Sequence, residues 1–271
     1  MSDAPTLPSP ASGGGETRAE ADLLELAGVS KRFGRITVAD NLSLSFRAAE
    51  MVGIVGPNGA GKSTLFAMIA GDVTPDAGEL RFDGRSVIRL DPAARCRMGI
   101  ARTYQVPRPF ENMTVFENLL VAAFRGGQVP RQSGFALAAN LLEETGLSQD
   151  ANRPAGRLGL LQRKRLELAR GLATQPRVLL LDEVAGGLTD PEVAQLVAIV
   201  DQVRRRGVAV VWVEHVVHAL TSAVSRLICL AGGRLIAEGT PDDVLANPEV
   251  KEVYLGADYG AEADWGKGVG D

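Results

Sequence analysis

Residues 56–64 read Gly-Pro-Asn-Gly-Ala-Gly-Lys-Ser-Thr, a glycine-rich stretch that ends in a lysine and two hydroxyl residues. It lies between the apolar run 51–55 and the helix-like stretch 64–70. Glycines let the backbone turn its N–H groups inward around a phosphate, and the start of a helix adds a positive dipole. The pattern therefore predicts a strand, a phosphate-binding loop and a helix that together bind ATP or GTP.

Specific contacts with the nucleotide are expected from the loop. Lys62 is predicted to reach the β- and γ-phosphates as a catalytic residue, and the Ser63 hydroxyl to hold Mg²⁺. The predicted nucleotide-binding residues of the loop are Gly56, Pro57, Asn58, Gly59, Ala60, Gly61, Lys62, Ser63 and Thr64. The alternative is a glycine-rich turn that binds nothing, and the flanking strand and helix patterns disfavour it.

Composition restricts the class of protein. A chain of 271 residues with 45% hydrophobic and 23% charged residues suits one large α/β domain with a small subdomain. The net charge of −4 argues against broad binding of nucleic acid. Cys96 and Cys229 lie far apart in the sequence, as expected of free thiols in a reducing cytoplasm. No signal peptide or membrane span is predicted, so any membrane role is expected to come through a partner.

The remaining pattern predicts a mostly parallel sheet. Continuous apolar strands at 178–181, 208–213 and 226–231 alternate with helical stretches, which is typical of strands buried on both faces. Strands at 22–27 and near 42–46 suggest a hairpin and hence an antiparallel flank. The expected fold class is α/β: a P-loop NTPase (RecA-like) core with an antiparallel β flank and a small helical subdomain.

One domain and two tails are predicted. Residues 1–21 are rich in Pro, Gly and Ser and predict a disordered N-terminal tail. Residues 258–271 predict a loose C-terminal tail. Between them, 22–257 form the nucleotide-binding domain, with the helical subdomain at about 106–157.

Acidic residues follow the apolar strand 179–181. Asp182 at the carboxyl end of this strand can orient Mg²⁺ or its bound water. The next residue, Glu183, can orient or deprotonate the attacking water. The alternative is a strand that simply ends in a solvated acidic pair, which the preceding phosphate loop makes the weaker reading.

Two further polar residues are weaker candidates. His215 follows the buried strand 211–213 and could donate a hydrogen bond to the γ-phosphate. Gln105 lies between a strand-like segment and a Pro-rich loop, where it could ligate Mg²⁺. Taken alone, each is an ordinary polar residue at a strand end or in a loop.

Together these segments resemble the ATP-binding cassette (ABC) family over residues 23–256. The resemblance implies an ATPase that uses ATP and Mg²⁺ and works as a head-to-tail dimer, each ATP lying between one chain's phosphate loop and its partner's signature segment. The implied roles are adenine stacking by Phe33, nucleotide and Mg²⁺ contact by Gln105, Mg²⁺ binding by Ser63 and Asp182, general-base catalysis by Glu183, and the switch histidine at His215. For Phe33 the alternative is a core aromatic side chain.

The signature segment departs from the family pattern. Residues 158–162 read Leu-Gly-Leu-Leu-Gln where the family has Leu-Ser-Gly-Gly-Gln, while 163–170 fit the family well. The serine hydroxyl is absent and both central glycines are replaced, although the helix start still offers backbone N–H groups. In a heterodimer the substituted segment affects only the partner's ATP. The sequence therefore predicts pairing with a second, different ABC ATPase chain.

Several stretches are similar to importers of branched-chain amino acids and related solutes such as urea and amides. They lie at 101–105, 110–118, 182–189 and 254–256. The resemblance implies integral-membrane permease partners, an external solute-binding protein and a peripheral location on the cytoplasmic face of the cell membrane, with no role for nucleic acid. The alternatives are an ATPase of lipopolysaccharide-export type and a nucleotide-binding regulatory half with weak hydrolysis. A DNA-repair cassette is disfavoured because 106–157 lacks sustained heptads.

Overall fold

Two sheets form the framework of the protein, as the computed structural model describes for residues 22–214, 220–221 and 223–255. The strands are β1 (Leu24–Phe33), β2 (Ile36–Phe46), β3 (Met51–Val55), β4 (Ala77–Phe82), β5 (Arg85–Ser86), β6 (Ile100–Arg102), β7 (Val178–Asp182), β8 (Ala209–Val213), β9 (Arg226–Ala231) and β10 (Arg234–Gly239). One sheet is antiparallel with the order β2-β1-β4-β5, and the other has the order β10-β9-β3-β8-β7-β6. In the second sheet the pairs are parallel except for β9–β10. The predicted α/β fold with an antiparallel flank is confirmed.

Helices cover the six-stranded sheet. They are α1 (Lys62–Ala70), α2 (Pro92–Met98), α3 (Val115–Val121), α4 (Arg131–Glu144), α5 (Leu160–Ala173), α6 (Asp190–Arg205), α7 (Pro241–Ala246) and α8 (Pro248–Leu255). A π-helical turn at Ala122–Gly126 continues α3. Thr114 starts α3 with a capping box, in which its hydroxyl accepts from the Glu117 N–H and the Glu117 carboxylate accepts from the Thr114 N–H. None of the helices in the described part of the chain is both long and apolar enough to span a membrane.

Two apolar cores lie on opposite faces of the six-stranded sheet. Along β7, Val178 and Leu180 pack with α1 and with the antiparallel sheet. Leu179 and Leu181 point to the other face and pack with α3, α4, α5 and α6. The alternation follows from the two-residue period of a strand. The sheet therefore separates the helix of the phosphate loop from the helices that follow Gln105 in the chain.

Parallel pairing brings the predicted site segments to one edge of the sheet. The phosphate loop follows β3, which lies between β9 and β8, and Asp182 ends β7. Because the carboxyl ends of parallel strands lie at the same edge, the segments that directly follow β3 and β7 meet there. The residues predicted to form the helical subdomain, 106–157, contain α3, the π-helical turn and α4.

The local prediction was less accurate at the flanks. β1 and β2 extend well beyond the predicted strands, because register irregularities such as the one between Leu26 and Val29 interrupt their apolar alternation. The strand β10 and the helices α2, α7 and α8 were not predicted. The predicted tails at 1–21 and 258–271 and the candidate residue His215 lie outside the described residues.

Candidate nucleotide-binding site

The phosphate loop requires glycine where two other strands approach its backbone. Gly56 and Gly61 have φ angles of 149° and 100°. A Cβ atom on Gly56 would lie 2.0 Å from the Leu230 carbonyl oxygen, and one on Gly61 would lie 2.1 Å from that of Val38. Any side chain at these positions would therefore both strain the backbone and collide with it.

A cavity of about 170 Å³ lies over this loop. Its lining consists of Val38, Asn58, Gly59, Ala60, Gly61, Lys62, Ser63, Thr64 and Glu183. The structure thus brings Glu183 into the same cavity as residues 58–64, although they are far apart in the sequence. Gly56 is buried next to this lining and Pro57 is half-buried. Val38 was not predicted to belong to the site, because nothing in its local sequence marks it.

Lys62 is held by the loop that it belongs to. Its ammonium group donates to the carbonyl oxygens of Gly56 at 2.6 Å and Pro57 at 3.1 Å, and the residue is buried. Burial lowers the pKa of Lys62, while the carboxylates of Glu183 and Asp182 act in the opposite direction. A cation is therefore fixed at the base of the cavity.

Asp182 has a positively charged neighbour that was not predicted. The Arg102 guanidinium donates to the Asp182 carboxylate at 2.8 Å and to that of Asp72 at 3.1 Å. The side chains of Arg102 and Asp182 are largely buried. The Asp182 N–H also donates to the Thr103 hydroxyl at 3.2 Å. Arg102 ends the edge strand β6, and its partners lie 30 and 80 residues away.

Gln105 and Glu183 are in contact through their side chains. The Gln105 amide nitrogen donates to the Glu183 carboxylate. Glu183 has a φ of 49°, in the left-handed region, and its N–H donates to the Val213 carbonyl at 2.9 Å. The loop after β6 and the end of β7 thus meet at the candidate catalytic carboxylate.

Phe33 lies at the surface and not in the phosphate cavity. It ends β1, its side chain is 49% exposed, and the Lys31 ammonium lies 5.4 Å from the centre of its ring. The alternative reading of Phe33 as a core aromatic residue is therefore wrong. Its adenine-stacking role remains a prediction.

The signature segment is at the surface, next to Gly187. Gly159 precedes α5, and the side chain of Leu160, the first residue of that helix, is 48% exposed. A Cβ atom on Gly187 would lie 3.2 Å from Leu160 Cδ2. The Leu160 side chain therefore lies beside Gly187, at a position where the family pattern has a glycine.

The donor set suits Mg²⁺ only in company with a nucleotide. The predicted donors are the Ser63 hydroxyl, the Gln105 amide and the Asp182 carboxylate, and oxygen donors are those that Mg²⁺ prefers. In the part of the chain that the structure describes, no group of three or more His, Cys, Asp or Glu could hold a metal ion alone. Such a small set fits an Mg²⁺ ion that takes its other ligands from phosphates and water.

Comparison with known proteins identifies the family. Residues 39–186 match the ABC transporter family, and residues 234–260 match the family described as branched-chain amino acid ATP-binding cassette transporter. The chain is 36% identical over 252 residues to the high-affinity branched-chain amino acid transport ATP-binding protein BraF of Pseudomonas aeruginosa, covering 86% of this chain and 98% of that one. It is 35% identical over 249 residues to LivG of Escherichia coli K12, with the same coverage.

Solved structures agree with these relatives. A nucleotide-free ATP-binding cassette from an ABC transporter has a TM-score of 0.78 at 30% identity, covering 86% of this chain and 99% of that one. The ADP conformation of MJ1267, an ATP-binding cassette of an ABC transporter, has a TM-score of 0.78 at 30% identity, covering 87% and 99%. The chain therefore belongs to the ABC transporter family, and it is a nucleotide-binding ATPase of that family.

Proposed function

We propose that this chain is the ATP-hydrolysing subunit of a membrane importer for branched-chain amino acids or related small polar solutes. The observation that carries the proposal is the cavity in which Glu183 faces the phosphate loop. Two kinds of similarity support the solute class: the named function of relatives such as BraF and LivG, and the match of residues 234–260.

Within the site, each residue has a proposed task. Lys62 and the loop N–H groups hold the triphosphate of ATP, and Glu183 orients or deprotonates the attacking water. Ser63, Asp182 and Gln105 would hold Mg²⁺, which neutralises phosphate charge when bound. Phe33 and His215 keep the roles implied by the family: stacking on adenine and a hydrogen bond to the γ-phosphate.

A second cavity provides the proposed docking site for the permease. It has a volume of about 360 Å³ and lies between β6, α2, the π-helical turn and α5. Tyr104 and Phe110 line it with partly exposed aromatic rings, and Arg125 and Arg170 add positive charge. Tyr104 directly precedes Gln105, so a permease helix in this cavity would act on the loop that contacts Glu183. This docking would hold the chain peripherally at the cytoplasmic face of the membrane, with an external binding protein delivering the solute.

We further propose that the chain pairs with a different ABC ATPase chain. Support comes from the signature segment, where an exposed leucine, Leu160, replaces a glycine of the family pattern at the first residue of α5. In a heterodimer, Lys62 and Glu183 of this chain act on an ATP that also contacts the partner's signature segment. Hydrolysis by the permease complex is therefore expected to require the second ATPase chain. Full transport-coupled hydrolysis by this chain and the permeases alone would overturn the pairing.

The test of the proposed function uses Glu183→Gln in the assembled complex. We expect kcat for ATP hydrolysis to fall by about 10²- to 10⁴-fold, because the water loses its base, while calorimetry shows unchanged affinity for Mg·ATP. Glu143→Gln, at an exposed position on α4, is the matched control and is expected to leave both quantities unchanged. Unchanged hydrolysis by Glu183→Gln would instead support the regulatory half, and absence of Mg²⁺-dependent ATP binding would overturn the proposal.

Solute class is tested separately by uptake. Proteoliposomes that contain the complex and its binding protein are expected to accumulate radiolabelled leucine or a related small solute when ATP is supplied. Co-purification with permeases of a lipopolysaccharide-export system, without uptake, would favour the alternative ABC system.

A further inference from the structure

A buried lysine lies behind the candidate hydrolytic site. Lys164 is on α5, two residues after the signature segment ends at Gln162, and it is only 4% exposed. Lysine is rarely buried to this extent unless its ammonium has partners. The Lys164 ammonium donates to the main-chain carbonyl oxygen of Glu183 at 3.0 Å and to that of Gln105 at 3.3 Å. One side chain thus contacts the backbone of both residues that meet in the site.

A buried carboxylate supplies the opposite charge. Glu214 directly follows β8 and is 2% exposed; its side chain accepts from the Ala185 N–H at 2.6 Å and from the Trp212 indole N–H at 3.1 Å. Burial lowers the pKa of Lys164, and the negative charges of Glu214 and Glu183 oppose that shift. The two carboxylates thus favour the charged form of Lys164, while burial raises the pKa of Glu214 itself.

The backbone at Glu183 needs such support. A non-glycine residue in the left-handed region costs about 1–2 kcal/mol, and Glu183 is there with a φ of 49°. The Val213 carbonyl accepts the Glu183 N–H on one side of this residue, and Lys164 binds its carbonyl oxygen on the other. These two contacts fix the direction in which the Glu183 side chain leaves the backbone.

We propose that Lys164 is a positioning residue for hydrolysis, which holds the backbones of Gln105 and Glu183 so that their side chains meet. It connects the helix that begins at the signature segment with the hydrolytic carboxylate of the same chain. The inference rests on the proposed function of Glu183. It predicts that Lys164 supports kcat without contributing to nucleotide binding, because the hydrogen bonds that its ammonium makes in the described residues go to Gln105 and Glu183 and not to the phosphate loop.

The test compares substitutions at 164 and 165 in the assembled complex. Lys164→Met keeps the length of the side chain and removes every donor, so we expect kcat to fall by about 10- to 100-fold. The KM for ATP and the Kd for Mg·ATP are expected to stay within about threefold of wild type. Lys164→Arg keeps the charge and donors and is expected to recover kcat at least in part. Arg165→Met, whose wild-type side chain contacts Gln195 on α6, is the matched control and is expected to retain kcat.

Hydrogen exchange gives a readout besides activity. The Lys164→Met protein is expected to exchange faster in peptides that cover 105–110 and 183–187, with unchanged exchange in α1. If Lys164→Met does not fold, Lys164→Gln takes its place with the same expectations.

Three outcomes would overturn the inference. They are an unchanged kcat in Lys164→Met, equal losses of kcat and of nucleotide affinity in that variant, and no recovery of kcat in Lys164→Arg. A Glu183→Gln complex run in parallel separates the two proposals. Wild-type hydrolysis by Glu183→Gln would remove the proposed function itself. A loss with Glu183→Gln but not with Lys164→Met would remove only the inference about Lys164.

Discussion

Arg95 is predicted to contribute strongly to stability, because it closes the end of the helix that carries the phosphate loop. It is 1% exposed, and its guanidinium donates to the carbonyl oxygens of Met68, Ile69, Leu90 and Ile88. Met68 and Ile69 are fully buried, so Arg95→Met leaves two buried acceptors unsatisfied, at about 1–3 kcal/mol each. Loss of the two outer bonds adds about 1 kcal/mol, since water can replace them. We expect the free energy of unfolding to fall by about 3–7 kcal/mol.

Urea unfolding followed by circular dichroism measures this loss. With a slope of about 3 kcal/mol per molar urea, the midpoint is expected to fall by about 1–2 M. Arg97→Met is the matched control: it lies on the same helix, is exposed, and is expected to change stability by no more than about 0.5 kcal/mol. A difference below about 1 kcal/mol between the two variants would refute the assignment of these bonds as stabilising.

Three other predictions follow from the geometry and the pKa shifts. Gly61→Ala is expected to weaken Mg·ATP binding in calorimetry by about tenfold or more. Gly59→Ala, whose added Cβ meets no atom within 4 Å, is expected to lose less affinity. Equal losses of affinity would show that the collision with the Val38 carbonyl does not matter. Burial raises the pKa of the Cys229 thiol to about 11, so at pH 8 we expect a disulfide reagent to leave Cys229 unmodified until the protein unfolds; its rapid modification in the native state would show that the site is open. Burial also raises the pKa of Glu167 in the folded protein, despite its ion pair with Arg170, so the folded state binds the proton more tightly than the unfolded state does. As pH rises from the ordinary glutamate pKa through the folded value, wild type is therefore expected to lose stability relative to Glu167→Gln. A constant difference between the urea midpoints of the two proteins across that range would contradict this.

The phosphate loop and the fold class could be predicted from sequence because their signals are local. Residues 56–64 are contiguous, and glycine is needed there for backbone reasons that any such loop shares. The apolar runs of β7, β8 and β9 likewise identify strands buried on both faces. Asp182 and Glu183 could be predicted as a candidate pair because they end one of these runs.

Contacts between distant segments could not be predicted in the same way. The ion pair of Arg102 with Asp182 joins positions 80 residues apart, and the bond of Lys164 to Gln105 joins positions 59 residues apart. Both depend on how α5 and β6 pack beside β7, which no single window of sequence encodes. Lys164 lies in the basic run 163–165, a pattern that more often marks a solvated helix face than a buried ammonium.

The separation of the two apolar cores determines how a mechanical signal can travel through this molecule. α1 is clamped between two sheets, whereas α3, α4 and α5 belong to the core on the far side of the central strands. The six-stranded sheet lies between those helices and α1, so a displacement of the helices does not reach α1 directly. Coupling between the two faces is then expected to pass through the loops at the edge of the sheet, where the side chains of Gln105 and Glu183 are in contact. The phosphate loop is thereby expected to stay fixed, while the loop segments that carry Gln105 and Glu183 move relative to it.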